Sequence, residues 1–136
     1  MPGDKVFFDT NVLIYLLSTD TKKADRAASL VHDGGLISVQ VLNEIANVAR
    51  RKSAMPWDEI DEFLSLVRSL CEVVPLTIET HELGLIIAEG YGLSVYDAMI
   101  AAAALIGGCN KLYTEDMQNG LLIDDQLRLE NPFLRS

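Results

Sequence analysis

Residues 6–15 read Val-Phe-Phe-Asp-Thr-Asn-Val-Leu-Ile-Tyr, and they set the architecture of the chain. The three leading apolar residues leave no solvated face, which is typical of a parallel strand covered on both sides. Asp9 follows directly, at the carboxyl end where open α/β sheets bind their ligands. A carboxylate buried there costs folding energy unless a cation lies beside it. The alternative interpretation is that Asp9 only caps the helix that follows.

The rest of the chain alternates short strands with helices. This pattern favours an α/β fold with a central, mostly parallel β-sheet flanked by helices. The predicted strands are 5–8, 36–38, 71–76, 111–114 and 127–130, and the predicted helices are about 11–17, 22–33, 39–52, 56–70, 78–89 and 95–106. The sequence shows no internal repeat, linker or low-complexity tract. It therefore predicts one domain over residues 1–136.

The charge of the chain gives a mixed indication about its partners. The net charge is −9 over 136 residues, which disfavours a nucleic-acid partner. However, seven of the eleven basic residues fall within residues 1–52. Lys22, Lys23, Arg50 and Arg51 are therefore the candidates for contact with a nucleic acid, and the alternative is that they are solvated helix faces.

The cysteines and the apolar runs suggest a compartment. Cys71 and Cys109 lie far apart and form no C-x-x-C motif, and no signal peptide follows Met1. The longest apolar run, 98–106, is shorter than the ~20 residues of a membrane span. We expect reduced thiols in a cytoplasmic protein that does not contact a membrane.

Three further acids lie where surface acids are uncommon. Glu44 flanks the apolar stripe of its helix, although it could simply pair with a basic residue one or two turns on. Asp97 is the only charge in the apolar helix 95–106, although Ser94-x-x-Asp97 also fits a capping box. Asp116 follows the fourth predicted strand, although an aspartate there is often a turn former.

These acids are expected to meet at one edge of the sheet. Asp9 and Asp116 follow parallel strands, and the start of a buried helix brings Asp97 to the same side. Clustered carboxylates repel one another, and a divalent cation removes that penalty. Oxygen ligands favour Mg²⁺ or Mn²⁺, whereas His32 and His81 fit no ligand spacing. Acid clusters of this kind serve phosphoryl and phosphodiester chemistry.

Motifs for other chemistries are absent from the sequence. It contains no Walker-type loop, no G-x-G-x-x-G and no G-x-S-x-G. Nucleotide hydrolysis on a P-loop, dinucleotide binding and an α/β-hydrolase triad therefore lack support.

At this point the chain resembles the PIN-domain ribonucleases, and in particular the VapC toxins of bacterial toxin–antitoxin pairs. The resemblance covers nearly the whole sequence, in the family's motif order. Its motifs are the opening 8–15, Ser38-x5-Glu44, Tyr96-Asp97-Ala98-x-Ile100-Ala101-Ala102-Ala103, Leu112-Tyr113-Thr114-Glu115-Asp116-Met117 and Asn131-Pro132-Phe133.

The resemblance implies a set of site residues. An acidic quartet would be catalytic and would hold Mg²⁺ or Mn²⁺: Asp9, Glu44, Asp97 and Asp116. Asn11 and Thr114 match the polar residues that accompany the first and last acids. Glu115 competes with Asp116 as a ligand, and the spacing from Thr114 favours Asp116.

Our leading hypothesis is a metal-dependent endoribonuclease that hydrolyses RNA by metal-activated water. One alternative is a non-catalytic PIN-like module that binds RNA or protein. Another is a phosphatase with Asp9 as nucleophile, which would normally need an aspartate where Asn11 stands.

The resemblance also implies partners. Toxins of this type form homodimers and are held by a cognate antitoxin, which we expect to lay a helix in a groove near Trp57. The apolar stripes of helices 39–52 and 56–70 could supply the dimer surface, or they could all belong to the core.

Overall fold

In a computed structural model, residues 3–134 are described and form six helices and six strands within that range. The strands are β1 (Val6–Phe8), β2 (Leu36–Ser38), β3 (Glu72–Val74), β4 (Lys111–Tyr113), β5 (Leu122–Ile123) and β6 (Leu127–Glu130). The helices are α1 (Thr10–Ile14), α2 (Thr21–His32), α3 (Val39–Ser53), α4 (Trp57–Leu70), α5 (Ile78–Tyr91) and α6 (Val95–Ile106). A short 3-10 helix, Tyr15–Leu17, extends α1.

All six strands form one sheet in the order β3-β2-β1-β4-β6-β5. Every neighbouring pair is parallel except β5 with β6. The predicted α/β class with a mostly parallel sheet is therefore confirmed. The antiparallel strand β5 was not predicted, because two residues are too few to give a period-two pattern.

The opening strand lies at the centre of this sheet. Phe7 and Phe8 are fully buried, as expected for a strand covered on both faces. β1 pairs with β4 so that Phe8 stands opposite Tyr113. Asp9 and Thr114 therefore leave the sheet side by side, and the backbone N–H of Asp9 donates to the Tyr113 carbonyl over 3.0 Å.

Helix α6 supplies the largest continuous part of the core. Residues 98–104 are all buried, whereas Val95 and Tyr96 at its start are exposed. α6 packs closely on α5 because Gly84 has no side chain, and a Cβ there would overlap the Met99 sulfur. The predicted burial of α6 thus holds over residues 98–104, whereas Leu105 is half-buried and Ile106 is exposed at its end.

The helices α3 and α4 also face the core. Their stripe residues Val41, Ile45, Ile60, Phe63 and Val67 are buried. Of the remaining stripe residues, Val48 and Leu64 are half-buried and Leu70 is exposed. Most of both stripes therefore belongs to the core, and the end of α4 keeps some free apolar surface.

Within residues 3–134, no single helix combines the length and hydropathy needed to cross a membrane. Helices α5 and α6 have that length and hydropathy only when taken together, and the pair is bent by 117°.

Candidate functional site

Four carboxylates line one open cavity of about 420 Å³ at the carboxyl edge of the sheet. The sheet brings Asp9 and Asp116 there, after β1 and β4, because these strands are parallel neighbours. Glu44 reaches the cavity from the second turn of α3, and Asp97 from the first turn of α6. The predicted convergence of these four residues is therefore found in the structure.

Asp9 is the most buried of the four, with 4% of its surface exposed. One carboxylate oxygen accepts from the Thr10 N–H over 2.7 Å. The other accepts from the Thr114 hydroxyl over 2.7 Å and from the Asn11 amide over 3.1 Å. Asp9 thus caps α1, as the alternative interpretation proposed, and it also faces the cavity.

Burial raises the pKa of Asp9 to about 6, above its ordinary value of 3.8. The hydrogen bonds from Thr114 and Thr10 act in the opposite direction, and the charges of Glu44 and Asp97 raise it further. The ionised carboxylate is therefore held at a cost that a nearby cation would offset.

Glu44 is held in place from both sides. Its Oε1 accepts from the Thr10 hydroxyl over 2.5 Å, and its Oε2 accepts from the Gln40 amide over 3.0 Å. The predicted alternative was an intrahelical ion pair, but the salt bridges found in residues 3–134 do not involve Glu44. Gln40 was missed by the sequence analysis, although its spacing of four residues from Glu44 on one helix was the available signal.

Asp97 lies in the first turn of α6, where its backbone N–H donates to the Ser94 hydroxyl over 3.2 Å. Burial raises the pKa of Asp97, a hydrogen bond with Ser94 lowers it, and the charges of Asp116 and Glu44 raise it. Ser94 therefore caps α6, but the reciprocal bond of a capping box, from the Ser94 N–H to the Asp97 carboxylate, is not among the hydrogen bonds of the described residues. The Asp97 side chain lines the cavity.

Asn11 connects the first and last acids. Its side-chain amide donates to Asp9 and to Asp116, each over 3.1 Å. Its carbonyl oxygen accepts from the Glu115 N–H over 3.0 Å. Thr114, fully buried, donates to Asp9 and accepts from the Asp116 N–H over 3.3 Å. Both residues predicted to support the quartet thus lie against it.

Glu115 is held away from the cavity. Its carboxylate accepts from the Tyr15 hydroxyl over 2.5 Å and from the Lys23 ammonium over 2.8 Å. Burial alone would raise the pKa of Glu115, but the hydrogen bonds from Lys23 and Tyr15 lower it. Of the two neighbouring acids, Asp116 is the one that lines the cavity.

The basic residues predicted to contact RNA are dispersed. Lys23 pairs with Glu115, and Lys22 lines a different cavity. Arg50 donates to the Met55 carbonyl and lies 5.0 Å from the centre of the Trp57 ring. Arg51 is exposed on α3, outside the residues that line the acidic cavity.

The cation that does line the acidic cavity is Lys52, which follows Arg51 on α3. Lys52 follows Arg50 and Arg51 in the sequence, which does not distinguish the three. The three-dimensional structure shows that only Lys52 among them lines the cavity. The helical period turns each successive side chain by about 100°, so residues adjacent in sequence face different directions.

A second cavity, of about 670 Å³, adjoins the first and shares Glu44 and Asn47 with it. It lies between α3, the start of α5 and the start of α6, and His81 is on its wall. His32 lies outside both cavities. In the described part of the chain, no three His, Cys, Asp or Glu side chains are grouped closely enough to hold a metal ion by themselves.

Comparison with known proteins gives a family and a fold. The family model described as PIN domain matches residues 6–118. None of the curated proteins matches the chain.

Several solved structures share the fold over nearly the whole chain. A toxin–antitoxin complex from Klebsiella pneumoniae has a TM-score of 0.72 at 20% identity, covering 95% of this chain and 98% of that one. The DNA-bound VapBC of Salmonella typhimurium has a TM-score of 0.65 at 23% identity, covering 95% and 98%. Mycobacterium tuberculosis VapC20, a toxin that cleaves the sarcin–ricin loop, has a TM-score of 0.65 at 19% identity, covering 82% and 90%.

Proposed function

The chain belongs to the PIN-domain family, and from that premise we propose that it is a Mg²⁺- or Mn²⁺-dependent endoribonuclease, the toxin of a toxin–antitoxin pair. The observation that carries the proposal is the convergence of Asp9, Glu44, Asp97 and Asp116 on one open cavity. An RNA phosphate can approach such a cavity, because three of the four acids are at least partly exposed.

The donor set fits a hard divalent cation. All four acids offer oxygen, and no thiol or imidazole is among the residues that line the cavity, which all fall within the described range. Oxygen donors of this kind suit Mg²⁺ and Mn²⁺. The wide spacing of the carboxylates is compatible with Mg²⁺, which keeps several waters and needs few protein ligands. Asp9, Asp97 and Asp116 would hold the ion together with bound water, since the three carboxylates are not grouped closely enough to hold it by themselves, and Glu44 would complete the acidic lining.

The surrounding residues orient these carboxylates. Thr114 and Asn11 direct the Asp9 carboxylate, and Asn11 keeps Asp116 beside it. Thr10 and Gln40 hold Glu44 at the opposite wall, where it can orient a water or accept its proton. A bound divalent cation supplies an acidified water and offsets the negative charge that develops on the phosphate.

Lys52 gives the acidic cavity one positive side chain on its wall. With a net charge of −9, the chain repels RNA at long range. A lysine beside the cavity would contact a phosphate next to the one being cleaved, and it would make part of the RNA affinity salt-dependent.

RNA cleavage by the purified chain tests this proposal. With Mn²⁺ present we expect internal cuts in single-stranded RNA, and Asp9→Asn or Asp97→Asn should abolish them while the circular dichroism spectrum stays unchanged. Asp61→Asn is the matched control, because Asp61 is exposed on α4. Equal cleavage by parent and Asp97→Asn would refute the assignment.

Two other outcomes would point to the alternatives. A phosphate trapped covalently on Asp9 would favour a phosphatase. RNA binding with no cleavage under any divalent cation, together with no stabilisation by Mn²⁺, would favour a non-catalytic module.

We propose a homodimer and a cognate antitoxin as partners, acting in the cytoplasm where the RNA substrate is. Solved structures of the same fold support the antitoxin, since they include toxin–antitoxin complexes. Trp57, 60% exposed, remains available for the predicted helix contact. A monomer in sedimentation at micromolar concentration would reject the dimer. Loss of toxicity on co-expression with an adjacent small reading frame would support the antitoxin.

A further inference from the structure

The second cavity, which adjoins the acidic one, is built differently from it. Its lining residues, all within the described range, include no lysine or arginine, and Glu44 is their one carboxylate. A phosphate would therefore find no lysine or arginine there, and His81 is the one basic side chain on the wall. A neutral group would not be repelled, which makes the cavity suited to an uncharged part of a ligand.

The lining of this second cavity combines apolar surface with polar edges. Leu76 and Met99 contribute apolar walls. The Tyr96 ring stands at the start of α6 with 71% of the residue exposed. Asn43 and Asn47, one turn apart on α3, expose their side-chain amides along the same cavity. A flat aromatic group with donors and acceptors on its rim matches this arrangement.

The Tyr96 ring is coupled to the acidic cavity through the backbone. Tyr96 precedes Asp97 directly, and its carbonyl accepts from the Gln40 amide over 3.1 Å. The same amide donates to Glu44. The Tyr96 backbone is therefore held beside two of the four acids, Glu44 and Asp97, and a group stacked on the ring would lie close to the acidic cavity.

We propose that this second cavity binds one unpaired nucleobase of the RNA, beside the phosphate that enters the acidic cavity. Tyr96 would stack on the base, while Asn43 and Asn47 would bond to its edge. Proteins read single-stranded RNA in this way, by stacking bases on aromatic rings and bonding to their exposed edges. This inference rests on the proposed function. Tyr96, Asn43 and Asn47 would then determine which base sequence is preferred and would restrict the substrate to unpaired RNA.

Binding of a short RNA tests the inference without requiring cleavage. The probe is a single-stranded hexaribonucleotide with one 2-aminopurine, titrated with the Asp9→Asn protein. Stacking of the 2-aminopurine on an aromatic ring quenches the fluorescence of that base. In that background Tyr96→Ala should weaken binding by about tenfold and abolish quenching, whereas Tyr96→Phe should retain both. An RNA with one abasic position should bind about tenfold more weakly, and Tyr96→Ala should then have no further effect.

A matched control is Ile86→Ala, because Ile86 is 68% exposed on α5 and does not line the cavity. It should leave RNA binding unchanged. The inference is overturned if quenching is absent, if Ile86→Ala weakens binding as much as Tyr96→Ala, or if Tyr96→Ala alters only sedimentation. The last result would assign the cavity to a contact between two copies of the chain.

Cleavage by the parent protein separates this inference from the proposed function. If the parent cuts RNA and Tyr96→Ala cuts it with the same rate and the same 5′-end sequence pattern, the base site fails and the nuclease stands. If the parent does not cut RNA but binding depends on Tyr96 as described, the nuclease fails and the base site stands.

Discussion

Replacing the buried carboxylate of Asp9 should stabilise the metal-free protein at neutral pH. Asp9 is ionised there in a buried position, and burial raises its pKa from 3.8 to about 6. In Asp9→Asn, the amide oxygen can still accept from the Thr10 N–H, and the amide nitrogen can donate to the Thr114 hydroxyl oxygen. The Asn11 amide loses its bond to this position and keeps its bond to Asp116, so the gain from removing the charge is reduced by about one hydrogen bond. The substitution removes the charge and keeps the shape.

The magnitude follows from the pKa. A rise of about two pKa units corresponds to about 3 kcal/mol of difference between the protonated and ionised forms. Because the pKa is raised in the folded state, that state binds the proton more tightly than the unfolded chain does. The stabilisation from this proton is complete below about pH 4 and is lost as the pH rises through about 6.

Urea denaturation in EDTA measures this directly. Near pH 7.5, Asp9→Asn should exceed the parent in free energy of unfolding by about 1 to 3 kcal/mol, and near pH 4 the two should be equal. Asp61→Asn should follow the parent at both pH values. A variant less stable than the parent at neutral pH, or a difference that does not change with pH, would refute the reasoning.

Three smaller perturbations test the roles of individual side chains. Thr114→Val removes the 2.7 Å hydrogen bond to the buried carboxylate and the bond that the hydroxyl accepts from the Asp116 N–H. It should lower the free energy of unfolding by about 1 to 2 kcal/mol in urea denaturation; an unchanged value would show that the Thr114 hydroxyl contributes nothing to stability. Asp116→Asn should reduce the rise in melting temperature caused by Mn²⁺, whereas Glu115→Gln should leave that rise intact. If Glu115→Gln reduces the rise and Asp116→Asn does not, Glu115 is the ligand. Lys52→Ala should flatten the salt dependence of RNA binding, by about 0.7 in the log–log slope, and Arg51→Ala should flatten it less; equal slopes for the parent and Lys52→Ala would exclude a phosphate contact.

The strand-end acids show what the sequence can predict. Asp9 and Asp116 each follow a short apolar strand, and parallel pairing alone brings such residues together. Asp97 is conspicuous because an apolar helix contains no other charge. The element boundaries of α6 and β2 were also predicted correctly, since Ser94 and Ser38 are clear N-cap residues.

The remaining features depend on side-chain direction in three dimensions. Arg50 and Lys52 are two residues apart, yet Arg50 lies over Trp57 and Lys52 lines the acidic cavity. The Lys23 pairing with Glu115 joins positions 92 residues apart. No local pattern specifies such contacts, so the basic residues could be predicted only as a group, without separating their roles.

In the function proposed for this chain, RNA cleavage requires a divalent cation held by the acidic cavity. The most direct test titrates Mn²⁺ into the metal-free protein and follows heat of binding and cleavage rate in parallel samples. We expect both to rise with the same midpoint and both to be lost in Asp97→Asn. Cleavage that persists in EDTA, or Mn²⁺ binding that is unchanged in Asp97→Asn, would contradict the claim.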